Sequence, residues 1–126
     1  MKRYDNISQK EYRKTVLDHY ENPRNLGLID KFDFEGSATN KSCEDEVSIR
    51  LRINEDVIEE VGIELDACVV CKAFASMFSE NIKGEKIRDM RELDEKSFFE
   101  IVGFYPRKVR KKCSMVVFHA LKNCFD

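Results

Sequence analysis

The sequence predicts a mixed fold in which an antiparallel hairpin is flanked by amphipathic helices. Val47, Ile49, Leu51 and Ile53 alternate with Ser48, Arg50 and Arg52, the period of two expected of a strand with one buried face. After Asn54-Glu55-Asp56, which supplies turn chemistry, the stretch Val57 to Leu65 resumes as a strand with Val61, Ile63 and Leu65 on one face, so the two strands pair as a hairpin. Beyond Ala67 the period becomes helical, with Val70, Phe74, Met77, Phe78 and Ile82 forming a stripe that stops at Gly84.

The other elements follow in chain order. Ser8 with Glu11 fits a capping box, and Tyr12, Val16, Leu17 and Tyr20 recur near helical spacing, which predicts a first amphipathic helix ended by Asn22-Pro23. Arg24 to Ser42 is rich in Asn, Gly and Asp and reads as irregular chain with one short strand around Phe32 to Phe34. The helix after the hairpin is expected to begin near Cys68. Asp94 can cap a further short helix through Ser97, with Leu93 placed to staple onto Phe98 and Gly103 where that helix ends. Past Pro106 a last helix carries Val117, Phe118, Leu121, Cys124 and Phe125, starting at or just after Cys113. No internal repeat or low-complexity segment interrupts this order.

The chain has 126 residues and a net charge of -2, with 42% apolar and 37% charged residues. One compact domain over residues 1–126 is expected, large enough to bury roughly two thirds of its unfolded surface without disulfide staples. No window approaches the ~18 apolar residues of a membrane span, and Met1 to Asn6 leads into polar sequence, so the expected protein is cytoplasmic with no membrane partner. A near-zero net charge and the lack of interleaved aromatics speak against a nucleic-acid partner. Five cysteines, an odd number in a reducing compartment, point to metal binding or thiol chemistry.

Cys43 immediately precedes a predicted strand, while Cys68 and Cys113 each open a predicted helix, where unpaired N–H groups favour a thiolate. Asp45 stands two residues after Cys43, so the two side chains share a direction if the chain is extended there. Three thiolates and a carboxylate would suit tetrahedral zinc or a cluster whose last ligand is an oxygen that leaves easily. The separations between these cysteines match no compact zinc-finger spacing. Cys68-Val69-Val70-Cys71 also reads as a C-x-x-C of a thiol-disulfide oxidoreductase, although a hairpin precedes it where that chemistry expects a βαβ unit. Cys71 is alternatively a spare ligand or a packed core residue, Cys124 a small buried hydrophobe, and His19 and His119 are structural. The basic run Arg107, Lys108, Arg110, Lys111 and Lys112 lies directly before Cys113, where cations would hold a thiolate and meet an acidic partner.

Val16-Leu17-Asp18-His19-Tyr20-Glu21-Asn22-Pro23-Arg24-Asn25 with Gly27 resembles the opening of the IscU/SufU/NifU N-terminal family of iron-sulfur cluster assembly scaffolds. Asn40-Lys41-Ser42-Cys43-Glu44-Asp45 is similar to the family's first ligand loop, Cys68 with Ala75-Ser76-Met77 to its second, and Arg110-Lys111-Lys112-Cys113 to its third. The resemblance runs from about Tyr12 to Leu121. It implies an α+β fold, a small antiparallel sheet of about three strands covered by helices, and a site of Cys43, Asp45, Cys68 and Cys113. It further implies a non-enzymatic scaffold that receives sulfur on Cys113 from a cysteine desulfurase. Such a scaffold holds a transient [2Fe-2S] cluster for apo iron-sulfur acceptor proteins, or zinc in SufU-type members that relay sulfur. Glu44 stands where the family has Gly. Lys112 stands where IscU-type members have His and in this looks like SufU, but no SufU-type insertion lies between Cys68 and Cys113. Tyr105-Pro106-Arg107-Lys108-Val109 differs from the Leu-Pro-Pro-Val-Lys motif that IscU-type members offer to a dedicated chaperone, so the resemblance does not extend to that partner.

Overall fold

The computed structural model describes residues 9–126. Its elements are α1 (Gln9–Glu21), β1 (Phe34–Asn40), β2 (Asp45–Asn54), β3 (Val57–Asp66), α2 (Val69–Asn81), α3 (Ile87–Arg91), α4 (Glu95–Val102), a 3-10 turn (Lys108–Arg110), α5 (Lys111–Ser114) and α6 (Val116–Asn123). The fold is α+β: the strands form one antiparallel sheet in the order β1-β2-β3, with α6 against β1 and β2, α2 against β3, and α1 against α2. Among the described residues no helix is long and apolar enough to cross a membrane. The Ser8 half of the expected capping box lies outside the described residues.

The hairpin forms as its alternation predicts. Val47, Ile49 and Leu51 of β2 are buried, and Ile49 faces Ile63 of β3 across the ladder. Glu55 and Asp56 both take positive φ, 54° and 66°, the conformation a two-residue turn needs to match the twist of its strands. Asp94 caps α4 by accepting from Ser97 N–H at 2.8 Å, and Gly103 closes that helix at φ 89°.

Three expectations need correction. The first strand is not the short one around Phe32 to Phe34 but β1, Phe34–Asn40. Its inner face carries Gly36 and Ala38, too small to announce a strand by hydrophobic alternation. They are small because α6 lies directly on them: a Cβ on Gly36 would come within 2.6 Å of Cys124 N. Second, the short helix α3 has no counterpart in the sequence reading. Third, the last helix is split at Met115, so Cys113 sits inside the four-residue α5 and not at the start of the helix that carries Val117 and Leu121.

The opening motif ties three elements together. Ser76 Oγ of α2 lies 2.8 Å from His19 Nδ1 and accepts Arg24 N–H at 2.8 Å. Asn25 Nδ2 donates to Ser79 Oγ at 3.1 Å, and its carbonyl accepts Ile63 N–H of β3. Gly27 N–H donates to Ile63 O at 2.7 Å, and Gly62 is what admits this segment, since a Cβ there would meet Gly27 O at 2.6 Å. These bonds fix α2, and with it Cys68 at its N-cap position, against the sheet.

Candidate metal centre

The β1–β2 turn, the junction of β3 with α2, and α5 meet at one end of the sheet. Asp45 begins β2 on the same face as Val47, Ile49 and Leu51, and this alternation drives its carboxylate fully inside, at 0% exposure. Its Oδ1 accepts Cys68 N–H at 2.8 Å, and Oδ2 lies 3.9 Å from Cys68 Sγ. No Lys or Arg among the described residues pairs with it. Burying a carboxylate costs desolvation unless it is compensated, which makes Asp45 a candidate metal ligand.

Cys43 sits exposed in the turn, where its N–H donates to Asn40 O at 3.3 Å. The chain is not extended between it and Asp45, as the shared-direction reading required: Glu44 is left-handed, at φ 57°. That reversal still turns Cys43 Sγ toward α5, 3.2 Å from Cys113 Sγ. The donor atoms of Cys43, Asp45 and Cys113 all lie within 4.8 Å of one another. Cys68 stands outside that tight group and joins it through Asp45 and Cys113. The four expected residues are thus brought to one place, three of them closely and the fourth at its edge. Metal–sulfur bonds of about 2.3 Å in a tetrahedron separate donors by about 3.8 Å, so two thiols and a carboxylate within 4.8 Å of one another, with the Cys68 thiol beside them, form a donor set suited to zinc or an iron–sulfur cluster.

Cys113 is 3% exposed, and burial, then the neighbouring Cys43 and Cys68, push its pKa up to about 12. Burial thus works against the thiolate expected from a helix start and a basic run. Lys111 pairs with Glu95 at 2.9 Å, away from the sulfurs. Cys71 is 1% exposed, and desolvation drives its thiol far up, which favours the core-residue reading over the redox one. Cys124 is buried beneath β1, its thiol likewise pushed up to about 12 by desolvation. His19 belongs to the α1–α2 network, and His119 lines a cavity of about 370 Å³ with Lys112 and Glu95. Asn40, the last residue of β1, opens the stretch similar to the family's first ligand loop but carries no expected role there; its Nδ2 donates to Cys113 Sγ at 3.7 Å.

A helix-covered antiparallel sheet with thiols and a carboxylate gathered at one end defines an α+β domain with a candidate metal centre. The chain belongs to the family described as NifU-like N terminal domain, whose model matches residues 11–125. It is 36% identical over 98 residues to the iron-sulfur cluster assembly scaffold protein IscU of Aquifex aeolicus, covering 76% of this chain and 62% of that protein. It is 33% identical over 76 residues to the zinc-dependent sulfurtransferase SufU of Bacillus subtilis, covering 60% of this chain and 51% of that one. The chain therefore spans under two thirds of the first relative's length and about half of the second's. The fold matches that of a nitrogen-fixing NifU-like protein (N-terminal) from Brucella abortus with a TM-score of 0.74 at 21% identity, over 90% of this chain and 91% of that one.

Proposed function

We propose that this chain is a scaffold and sulfur acceptor of iron-sulfur cluster assembly, with no turnover reaction of its own. Cys43, Asp45, Cys68 and Cys113 hold the cargo, a [2Fe-2S] cluster or a zinc ion. Cys113 takes up sulfur from a cysteine desulfurase, and apo iron-sulfur proteins receive the product. The observation that carries this reading is the buried Asp45 carboxylate, which no Lys or Arg among the described residues pairs with, beside the Cys43, Cys113 and Cys68 sulfurs.

Each residue has a definable part. Asp45 supplies a hard oxygen donor, a weaker partner for iron than a thiolate, so the cargo stays exchangeable. Cys43, exposed on a turn, is the ligand a recipient reaches first. Cys68 is oriented by its own N–H on Asp45, and ligation draws the protons from the thiols, so binding is expected to release protons.

The test is anaerobic purification followed by incubation with cysteine desulfurase, cysteine and ferrous iron. Visible absorbance with acid-labile sulfide, lost in the Cys43, Cys68 and Cys113 variants, is the expected result. Neither cluster nor sulfur on Cys113 would overturn the reading and leave a structural zinc module. The likeness to the zinc-dependent sulfurtransferase favours a second form of the same reading, in which zinc stays bound, no cluster forms, and Cys113 still acquires persulfide.

A further inference from the structure

The 3.2 Å separation of Cys43 Sγ and Cys113 Sγ has a use besides ligation. Sulfur delivered by a desulfurase arrives as a persulfide, at the oxidation level of elemental sulfur, whereas a cluster needs sulfide. Two electrons must be found for each sulfur. We propose that Cys43 supplies them, by resolving a persulfide on Cys113 and releasing its outer sulfur as hydrosulfide. This step rests on the sulfur-acceptor reading above.

The step balances within the chain. The Cys43 thiol loses its proton to solvent and its sulfur attacks the inner sulfur of the Cys113 persulfide. A Cys43–Cys113 disulfide forms, the Cys113 sulfur–sulfur bond breaks, and hydrosulfide leaves with the electron pair, taking up a proton as its surroundings allow. The two thiol sulfurs are oxidised together to the disulfide level while the delivered sulfur is reduced to sulfide.

Four features favour attack at the inner sulfur by this particular thiol. Cys43 Sγ already stands against Cys113 Sγ, the atom to be attacked, and which sulfur is attacked decides between sulfide release and mere transfer of the outer atom. Cys43 is exposed on its turn, while Cys113 is almost fully buried. A disulfide requires about 2.05 Å between the sulfurs, and the closing movement of about an ångström falls on a turn held by long hydrogen bonds, Cys43 N to Asn40 O at 3.3 Å and Glu44 N to Lys41 O at 3.4 Å. Asn40 Nδ2, 3.7 Å from Cys113 Sγ, steadies that sulfur during attack. Cys68 also neighbours Cys113, but its thiol is engaged by the Asp45 carboxylate at 3.9 Å and it lacks the exposure of Cys43.

The disulfide removes two of the four donors, so each chain completes one release and then waits for a dithiol reductant. The experiment uses the full chain, freed of metal with a chelator and fully reduced, incubated anaerobically with a cysteine desulfurase that has been loaded with persulfide and then freed of cysteine, so that no other thiol reductant is present. Free sulfide and the intact mass are followed. The wild type is expected to release sulfide stoichiometric with the chain, to lose two hydrogens, and to yield a Cys43–Cys113 cross-linked peptide. Dithiothreitol, removed before more loaded desulfurase is added, then restores a further round. Cys43→Ser is expected to gain one sulfur, mapped to Cys113, and to release none, while Cys71→Ala, which removes a buried core thiol and no ligand, releases sulfide as the wild type does. Persulfide that stays intact on the wild type, sulfide release by Cys43→Ser at the wild-type rate, or a cross-link through another cysteine would overturn the step alone. Sulfur on no cysteine of any variant would overturn the acceptor reading with it.

Discussion

Asp45 makes a prediction in which the sign of a stability change reverses with metal. In Asp45→Asn the amide oxygen can still accept Cys68 N–H, now bound at 2.8 Å, while the buried charge is gone. In Asp45→Ala that N–H loses its partner, at about 1–3 kcal/mol. A fully buried carboxylate that no described cation pairs with weighs on the metal-free chain. Without metal, Asp45→Asn should therefore be at least as stable as the wild type, and Asp45→Ala should lie about 1–3 kcal/mol below Asp45→Asn. Zinc inverts the order. At a free concentration 100 times its Kd the wild type gains about 2.7 kcal/mol, whereas both variants, one donor short, bind more weakly and gain less. Urea unfolding of the three proteins at neutral pH, with chelator and with buffered zinc, measures all six values. The reasoning fails if Asp45→Asn is more than about 1 kcal/mol less stable than the wild type without metal and zinc stabilises all three alike.

Burial holds the His19 pKa below its usual range, with Arg24 adding to the effect against Glu80 and Asp18, so the folded state keeps this ring neutral beside Ser76. The unfolded chain takes up that proton from about pH 6.5; the stability is present above that value and is lost as pH falls through it. His19→Gln should flatten the decline in urea midpoint between neutral pH and pH ~5, and an unchanged slope would contradict this. Gly36→Ala forces a Cβ to 2.6 Å from Cys124 N, so α6 must move off β1 at about 1–3 kcal/mol; a change under about 0.5 kcal/mol would mean that α6 is not seated as described. Cys71→Ala should lower stability by about 1–2 kcal/mol and leave zinc affinity intact in a competition titration; loss of zinc would make Cys71 a ligand.

The hairpin and α2 were legible because their buried residues are large and periodic: Val47, Ile49 and Leu51 at a spacing of two, Phe74, Met77 and Phe78 at helical spacing. β1 was not, since a helix lying close on a strand demands Gly36 and Ala38, and small residues carry no hydrophobic signal. The residue set of the site was readable, largely through the family resemblance, but its electrostatics were not. Nothing local announces that Met115 splits the last helix and leaves Cys113 inside α5, or that Lys111 of the basic run turns to Glu95. One usable signal went unread: the period of two in β2 continues back to Asp45, so the pattern that buries Val47 also buries the carboxylate.

The turn from Lys41 to Glu44 is where this site concentrates its local strain. Glu44 occupies a left-handed conformation at φ 57°, which costs a side-chain-bearing residue roughly 1–2 kcal/mol. A glycine there would avoid that strain while losing more backbone entropy on folding, by roughly 0.5–1 kcal/mol. The difference predicts that Glu44→Gly stabilises the metal-free chain by about 0.5–1 kcal/mol. Asp45 and Cys113, at either side, are held by the sheet and by α5, so the change should fall on Cys43 alone. Faster chelator-driven zinc release from Glu44→Gly, with the stability gain, is the expected pair of results, because a looser turn lets the exposed ligand dissociate first. A destabilised Glu44→Gly would instead mean that the Glu44 side chain makes a compensating interaction in the turn, and the strain assigned to this position would have to be withdrawn.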